Sequence, residues 1–95
     1  MLPENRIPTH PGEILLEEFL VPINVSQVAF ASHIGVSTQR VNEIVRGKRG
    51  VTPETAWLFA EALGTSPEFW LNLQRNYDLV RFRPKRQVQR ISINA

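Results

Sequence analysis

The stretch of sequence that decides the fold is Gln27-Val-Ala-Phe-Ala-Ser-His-Ile-Gly35-Val-Ser-Thr-Gln-Arg-Val-Asn-Glu-Ile44. Apolar residues recur at helical spacing on both sides of Gly35, which predicts two short helices joined by a tight turn. Glycine suits that turn because it adopts a positive φ without steric cost. Ser37 is a good N-cap for the second helix, since a serine hydroxyl accepts a hydrogen bond from a free backbone N–H. These features predict a helix-turn-helix unit over residues 26–46.

The packing positions of this unit support the same interpretation. Ala31 is small, as required where two helices cross closely, and further apolar residues can close the pair into a core. They are Phe30, Ile34, Val36, Val41 and Ile44. A purely structural helix pair needs these positions, but not the Ala31–Gly35 spacing combined with a cap and a polar outer face. Because the second helix of such a unit lies in the DNA major groove, the sequence predicts DNA binding.

Length and composition limit the other possibilities. A chain of 95 residues suits one compact domain, residues 1–95, and leaves no room for a second domain beside a large catalytic cleft. The absence of cysteine excludes disulfides and cysteine-based metal sites. No apolar run approaches the length of a bilayer span, and the N-terminus lacks the pattern of a signal peptide. We therefore expect a cytoplasmic protein with no membrane partner.

The net charge of +2 conceals a strong segregation of charge along the chain. Residues 40–49 carry four basic residues and one acid, and residues 81–95 carry five basic residues and no acid. Residues 1–39 and residues 50–80 are both net acidic. Basic charge at the second helix of the motif is the expected electrostatic footprint of a phosphate-contacting surface. For the C-terminal run, a merely solvated basic segment is an equally good explanation.

Start and stop signals predict three further helices. The first begins near His10 and ends before Pro22. Residues 52–54 (Thr-Pro-Glu) and 66–68 (Ser-Pro-Glu) each combine a cap, a proline for the first turn and an acid, so they begin the fourth and fifth helices. The apolar face predicted for the fourth helix consists of Trp57, Leu58, Ala60, Ala62 and Leu63. The fifth helix runs to about Asp78, so the sequence predicts an all-α fold of five helices.

The pattern changes after the fifth helix. Residues 80–83 and 88–93 alternate apolar and polar side chains, and Pro84 separates the two runs. A period of two is typical of extended chain. We therefore predict an extended C-terminal tail over residues 79–95, in which residues 88–93 can form a strand.

A helical wheel of the second motif helix separates its polar face from its apolar face. In this docking geometry the residues near the N-terminus of that helix face the base edges. The predicted base contacts are Thr38, Gln39, Asn42 and Glu43. Gln39 can pair bidentately with adenine, and Glu43 can accept a hydrogen bond from cytosine. An equally good explanation for Glu43 is a surface acid paired with Arg40 or Arg46.

Other polar residues of the motif are better suited to the DNA backbone. The predicted phosphate contacts are Gln27, Ser37, Arg40, Arg46, Lys48 and Arg49. Gln27 opens the first motif helix, where its side chain and free backbone N–H groups can hold a phosphate. Lys48 and Arg49 follow the second helix and are placed for phosphates rather than bases.

Catalytic chemistry has no visible basis in the sequence. We find no Ser/His/Asp set, no paired-carboxylate site and no phosphate-binding glycine loop, so the protein is not expected to be an enzyme. His10 and His33 are not spaced with carboxylates as metal ligands would be. We therefore expect no metal and no cofactor.

Residues 9–79 resemble the HigA-type antitoxins of toxin–antitoxin modules, within the wider Xre and phage-repressor-like helix-turn-helix family. Four blocks carry the resemblance: His10-Pro-Gly-Glu13, Val41-Asn-Glu-Ile-Val-Arg-Gly-Lys-Arg-Gly50, Thr52-Pro-Glu-Thr-Ala56 and Leu63-Gly-Thr-Ser-Pro-Glu-Phe-Trp-Leu-Asn-Leu-Gln74. The resemblance implies a dimeric antitoxin that binds a small mRNA endonuclease toxin and represses its own operon. It places base contacts at Thr38, Gln39 and Glu43 and a phosphate contact at Gln27. The tail after Leu79 is less alike.

The expected partners are double-stranded operator DNA, a second copy of the chain and a cognate basic ribonuclease toxin. A basic toxin would be complemented by an acidic surface, for which the candidates are Glu13, Glu17 and Glu18 on the first helix. The alternative function is a stand-alone Xre-type repressor with no toxin partner.

Overall fold

The computed structural model describes residues 7–92. Its helices are α1 (Pro11–Ile14, continued without a break by a π-helical segment, Leu15–Leu20), α2 (Gln27–Ile34), α3 (Thr38–Val45), α4 (Pro53–Leu63) and α5 (Pro67–Arg81). Within the described range there is no strand, and no helix has the length and apolar character needed to cross a membrane. The predicted all-α, five-helix fold is confirmed.

Side-chain caps begin every helix. The hydroxyls of Ser26, Ser37, Thr52 and Ser66 each accept a hydrogen bond from the backbone N–H three residues later, at 3.0, 3.1, 3.3 and 3.1 Å. His10 caps α1 differently, because its Nδ1 accepts from the backbone N–H of Gly12 at 2.9 Å. These bonds satisfy donors that the helix itself leaves unpaired, so the start signals in the sequence predicted the starts correctly.

The first helix departs from the regular α-helix that its periodicity predicts. From Leu15 to Leu20 it winds as a π-helix, and Val21 N–H bonds to the carbonyl of Leu16 at 2.9 Å. A π-turn bonds residues five apart, which brings Leu15 and Leu20 toward the same side of the helix. Both leucines are fully buried. The widened turn therefore lets two leucines of unsuitable α-helical spacing enter one core.

The core surrounds Trp70 of α5, which is fully buried. Its ring centroid lies 5.1 Å from that of Phe59 and 5.3 Å from that of Phe19. Its indole N–H donates to the hydroxyl of Thr65 at 2.7 Å, so burial leaves no polar atom of the ring unpaired. The buried apolar residues are Leu15, Leu20, Phe30, Ala31, Val41, Ile44, Val51, Ala56, Phe59, Ala60 and Trp70.

The predicted core face of α4 is partly wrong. Trp57 is 58% exposed, whereas the residues of α4 that are buried are Thr55, Ala56, Phe59 and Ala60. Ala60 was predicted correctly, and Ala62 and Leu63 are partly buried against the core. Helical geometry explains the difference, because residues at spacings of three to four share a face and Trp57 lies off that face.

The C-terminal boundary also differs from the prediction. Helix α5 continues through residues 79–81, and its end is marked by Phe82 N–H bonding to the carbonyl of Asp78 at 2.9 Å. Four alternating residues were too few to distinguish a strand from the last turn of a helix. Residues 82–92 are exposed and form no strand, while Ile93 of the predicted strand lies outside the described residues.

Gly12 marks the closest approach of two helices. A Cβ built on it would lie 1.7 Å from the carbonyl oxygen of Ile44 and 2.9 Å from Cα of Val45. Both neighbouring atoms belong to the backbone of α3, so a rotamer change cannot relieve the clash. The absence of a side chain at Gly12 therefore fixes how α1 lies against the end of α3.

We predict that Gly12→Ala destabilises the protein by about 1–3 kcal/mol or more, because α3 must move to admit the methyl group. Helix propensity alone predicts the opposite sign, a gain of up to about 1 kcal/mol. Urea unfolding followed by circular dichroism measures the change. Gly64→Ala is the control: it has open space around it and a φ of 69°, so it isolates backbone strain without a clash. A Gly12→Ala protein as stable as the parent would contradict the contact.

Candidate nucleic-acid interface

The turn between α2 and α3 has the geometry that the sequence predicts. Gly35 adopts φ 78°, and the N–H of Val36 bonds back to the carbonyl of Ala31 at 3.0 Å. Val41 and Ile44 of α3 are buried, whereas Thr38 and Gln39 are exposed. The first turn of α3 thus presents polar side chains to solvent, with its axis held by two buried residues.

Glu43 lies at the centre of a chain of polar contacts on α3. Its Oε2 accepts from Nε2 of Gln39 at 3.4 Å, and its Oε1 accepts from the guanidinium of Arg49 at 2.9 Å. The surface ion pair was anticipated, but its partner is Arg49 rather than Arg40 or Arg46. The carboxylate therefore orients one predicted base contact and one predicted phosphate contact at once.

The main chain of Glu43 organises the segment that follows α3, residues 46–50, which we call the basic loop. Its carbonyl accepts from the backbone N–H groups of Lys48 and Arg49 at 2.8 and 3.2 Å. Gly47 permits this reversal with φ 73°. The basic side chains of the loop are exposed and lie directly beyond the end of α3.

Arg40 makes a contact between helices that the sequence did not reveal. Its guanidinium donates to Oε1 of Glu54 at 2.9 Å and to the hydroxyl of Thr55 at 3.2 Å. Both acceptors lie in the first turn of α4, so the contact joins α3 to α4. Because Glu54 is largely exposed, this pair sets an orientation more than it adds stability. Arg40 as a phosphate contact stays a prediction.

Gln27 and Asn42 meet across the two helices of the motif. Nδ2 of Asn42 donates to Oε1 of Gln27 at 3.2 Å. Gln27 is the first residue of α2, so this bond ties the start of α2 to the middle of α3. The hydroxyl of Ser37 is used in capping α3, where it accepts from the backbone N–H of Arg40. The structure therefore brings Gln27 to Asn42, and it brings Gln39 and Arg49 to Glu43.

The predicted toxin-facing acids lie on a different helix. Glu13, Glu17 and Glu18 are all exposed on the first helix. Glu13 occupies the first turn, where a carboxylate interacts favourably with the positive end of the helix dipole. These acids belong to a different helix from the polar face of α3 and are exposed to solvent.

A sequence profile described as helix-turn-helix matches residues 16–70, more than half of the chain. The chain belongs to the helix-turn-helix family. Among its relatives, virulence-associated protein I of Dichelobacter nodosus is 47% identical over 80% of this chain and 71% of its own length. Antitoxin HigA-1 of Vibrio cholerae is 43% identical over 78% of this chain and 70% of its own length.

A solved structure extends the likeness to nearly the full length of the chain. The antitoxin GraA, determined in complex with its operator, superposes with a TM-score of 0.83 at 39% identity, over 98% of this chain and 100% of that one. The recognised resemblance to HigA-type antitoxins is thus confirmed at the level of family. The protein is a DNA-binding helix-turn-helix protein of the HigA antitoxin type rather than an enzyme.

His10, the N-cap of α1, makes the stability of the folded state depend on pH. Burial lowers the pKa of its imidazole below the usual 6.5, and the carboxylate of Asp78 opposes that shift. The neutral ring is also the form whose Nδ1 accepts from Gly12. The folded state therefore binds a proton on His10 more weakly than the unfolded state does.

We predict that this contribution to stability is complete above pH 6.5 and is lost as the pH falls through the lowered pKa, because the unfolded chain then binds the extra proton. Thermal unfolding at pH 7.5 and at pH 5 measures the loss. His10→Asn keeps an N-cap acceptor but does not titrate, so its melting temperature should change less between these two pH values. An equal change in both proteins would contradict the role of His10.

Proposed function

We propose that this protein binds a two-fold operator as a homodimer, represses its own operon, and neutralises a small, basic mRNA endonuclease toxin. The observation that carries the DNA-binding part is the exposed first turn of α3, together with the basic loop at the other end of the same helix. Glu43 orients Gln39 of that turn and Arg49 of the loop. The buried residues Val41 and Ile44 fix the axis of α3. The complex of GraA with its operator supports the same use of this fold.

In this proposal, Thr38, Gln39, Asn42 and Glu43 contact bases. An amide nitrogen carries two hydrogens, so Gln39 can donate one to Glu43 and the other to adenine N7. Its Oε1 then accepts from the adenine amino group, which completes a bidentate pair. The contact with Glu43 therefore orients Gln39 without preventing base recognition.

The phosphate contacts of the proposal surround this centre. They are Gln27, Ser37, Arg40, Arg46, Lys48 and Arg49. Ser37 and Gln27 lie at helix N-termini, where backbone N–H groups favour an anion. Arg46, Lys48 and Arg49, the three basic residues of the basic loop, contribute charge. Arg40 would contact DNA through donors not directed at Glu54 and Thr55.

The homodimer is supported by the C-terminal part of the chain. Its exposed apolar side chains are Leu79, Phe82, Val88 and Ile91, with exposures of 65–81%. Such side chains are costly to leave in water and are candidates for burial against a second copy. A dimer would place two copies of α3 about one helical turn of DNA apart, as two-fold operators require.

The toxin-binding part of the proposal rests on the HigA-type relatives and on the exposed acids of the first helix. A stand-alone repressor is the second candidate, favoured by relatives described as helix-turn-helix transcriptional regulators. Co-expression with the product of a neighbouring short gene distinguishes the two. A toxin that this chain neutralises and co-purifies with supports the antitoxin, and repression of the operon without such a product supports the stand-alone repressor.

We predict that Gln39→Ala weakens operator binding while leaving binding to a scrambled duplex unchanged. The reason is that a bidentate contact between a side chain and one base is worth about 1–3 kcal/mol of discrimination. Lys48→Ala is the matched control. It should weaken both duplexes alike and reduce the slope of log affinity against log salt by about one. Fluorescence anisotropy over a salt series measures both effects. Equal weakening of both duplexes by Gln39→Ala would exclude a base-specific role.

For the dimer, we predict that the full chain scatters light as a dimer at micromolar concentration and that a chain ending at Arg81 is monomeric. The truncation retains α5 to its last residue but removes most of the exposed apolar side chains of the C-terminus. Circular dichroism controls for loss of helix. A full-length protein that stays monomeric even on operator DNA would contradict the homodimer.

For the toxin, we predict that reversing Glu13, Glu17 and Glu18 to lysine slows association with a basic toxin and weakens the salt dependence of the rate. The variant should still bind operator DNA, because none of these acids belongs to α3 or to the basic loop. Stopped-flow association at low salt measures the rate. Unchanged kinetics would exclude this surface, whereas loss of operator binding would reveal general misfolding of the variant.

A further inference from the structure

Gln74 is a buried polar residue of α5 that the proposed DNA contacts do not include. It is only 9% exposed, and both ends of its amide are bonded. Its Oε1 accepts from the backbone N–H of Val51 at 2.7 Å, and its Nε2 donates to Oδ1 of Asp78 at 2.9 Å. The partners fix the orientation of the amide, since a backbone N–H can only donate and a carboxylate can only accept.

The bond to Val51 fixes the far end of the basic loop. Val51 directly follows residues 46–50, and its side chain is buried. The near end of the same loop is fixed by the carbonyl of Glu43, which accepts from Lys48 and Arg49. The loop is thus held from α3 at one end and from α5 at the other.

The packing around Gly50 shows how closely α5 and the loop fit. A Cβ on Gly50 would lie 3.2 Å from both Cδ and Nε2 of Gln74. Near the start of the loop, the ring of His10 lies beside Gly47 and packs edge-on against Tyr77 of α5, with ring centroids 4.8 Å apart. The loop backbone therefore lies close to Gln74 at Gly50 and close to His10 at Gly47.

We propose that Gln74 is a positioning residue: it holds the basic loop in the conformation in which Lys48 and Arg49 contact the DNA backbone. The inference rests on the proposed DNA-binding function, and it adds a residue remote from the DNA to the residues that determine affinity. Without the acceptor on Gln74, the N–H of Val51 has no bond to α5. The loop then moves with respect to α3, and its cations no longer meet two phosphates together.

The test compares Gln74→Met with the parent chain. Methionine has a similar length and shape but lacks a strong acceptor. Salt titrations of operator and scrambled duplexes by fluorescence anisotropy should show a slope reduced by about one, and affinity reduced by the same factor for both duplexes. In the free protein, hydrogen exchange of the Val51 amide should become faster.

Thr65→Val is the matched control for general destabilisation. It removes the hydrogen bond from the buried indole of Trp70, in the connection between α4 and α5 rather than in the basic loop. We expect it to lower the melting temperature while leaving the salt slope and the Val51 exchange unchanged. If Gln74→Met lowers only the melting temperature, as Thr65→Val does, the positioning role is overturned.

Failure of the proposed function gives a different result. A parent chain that binds neither duplex would refute DNA binding, yet the exchange measurement would still decide whether Gln74 holds the loop. Unchanged exchange at Val51 in Gln74→Met would overturn the inference whatever the DNA measurements show.

Discussion

The absence of a side chain at Gly12 is the constraint on which the rest of the structure depends. It lets the backbone of the first helix touch the backbone at the end of α3, around the carbonyl of Ile44. The same approach puts His10 beside Gly47, where the basic loop begins. The position of the polar face of α3 is thus set by this main-chain contact together with the burial of Val41 and Ile44.

The local features of this fold were predictable from sequence because their causes are local. A serine or threonine cap, a proline in the first turn and a glycine at positive φ each act within a few residues, so the helix starts and the turn at Gly35 were identified correctly. The exposure of Trp57 was not, because the choice between two adjacent faces of α4 depends on α2 and α5. The π-helical winding between Leu15 and Leu20 was likewise not predictable, because it depends on the burial of both leucines in the core rather than on local preference.

In the candidate site, too, the local features were predictable from sequence and the long-range contacts were not. Exposure of Thr38 and Gln39 followed from helical geometry alone. The bonds that orient the site join residues far apart in the chain, such as Arg40 with Glu54 and Gln74 with Val51. No periodicity in the sequence reports these pairs, since each depends on how two helices lie against one another. An ion pair of Glu43 was one of two interpretations that the sequence left open, and its partner, Arg49, depends on the reversal of the loop after α3.

Residues that hold α3 in the fold alternate closely along the helix with residues that face solvent. Ser37 caps the helix, Arg40 joins it to α4, and Val41 enters the core. Thr38 and Gln39 lie between them and are exposed. Substitution at the two outward positions leaves the supporting contacts intact. Under the base contacts proposed above, descendants of one ancestral gene can diverge in DNA preference at these exposed positions while keeping a common scaffold.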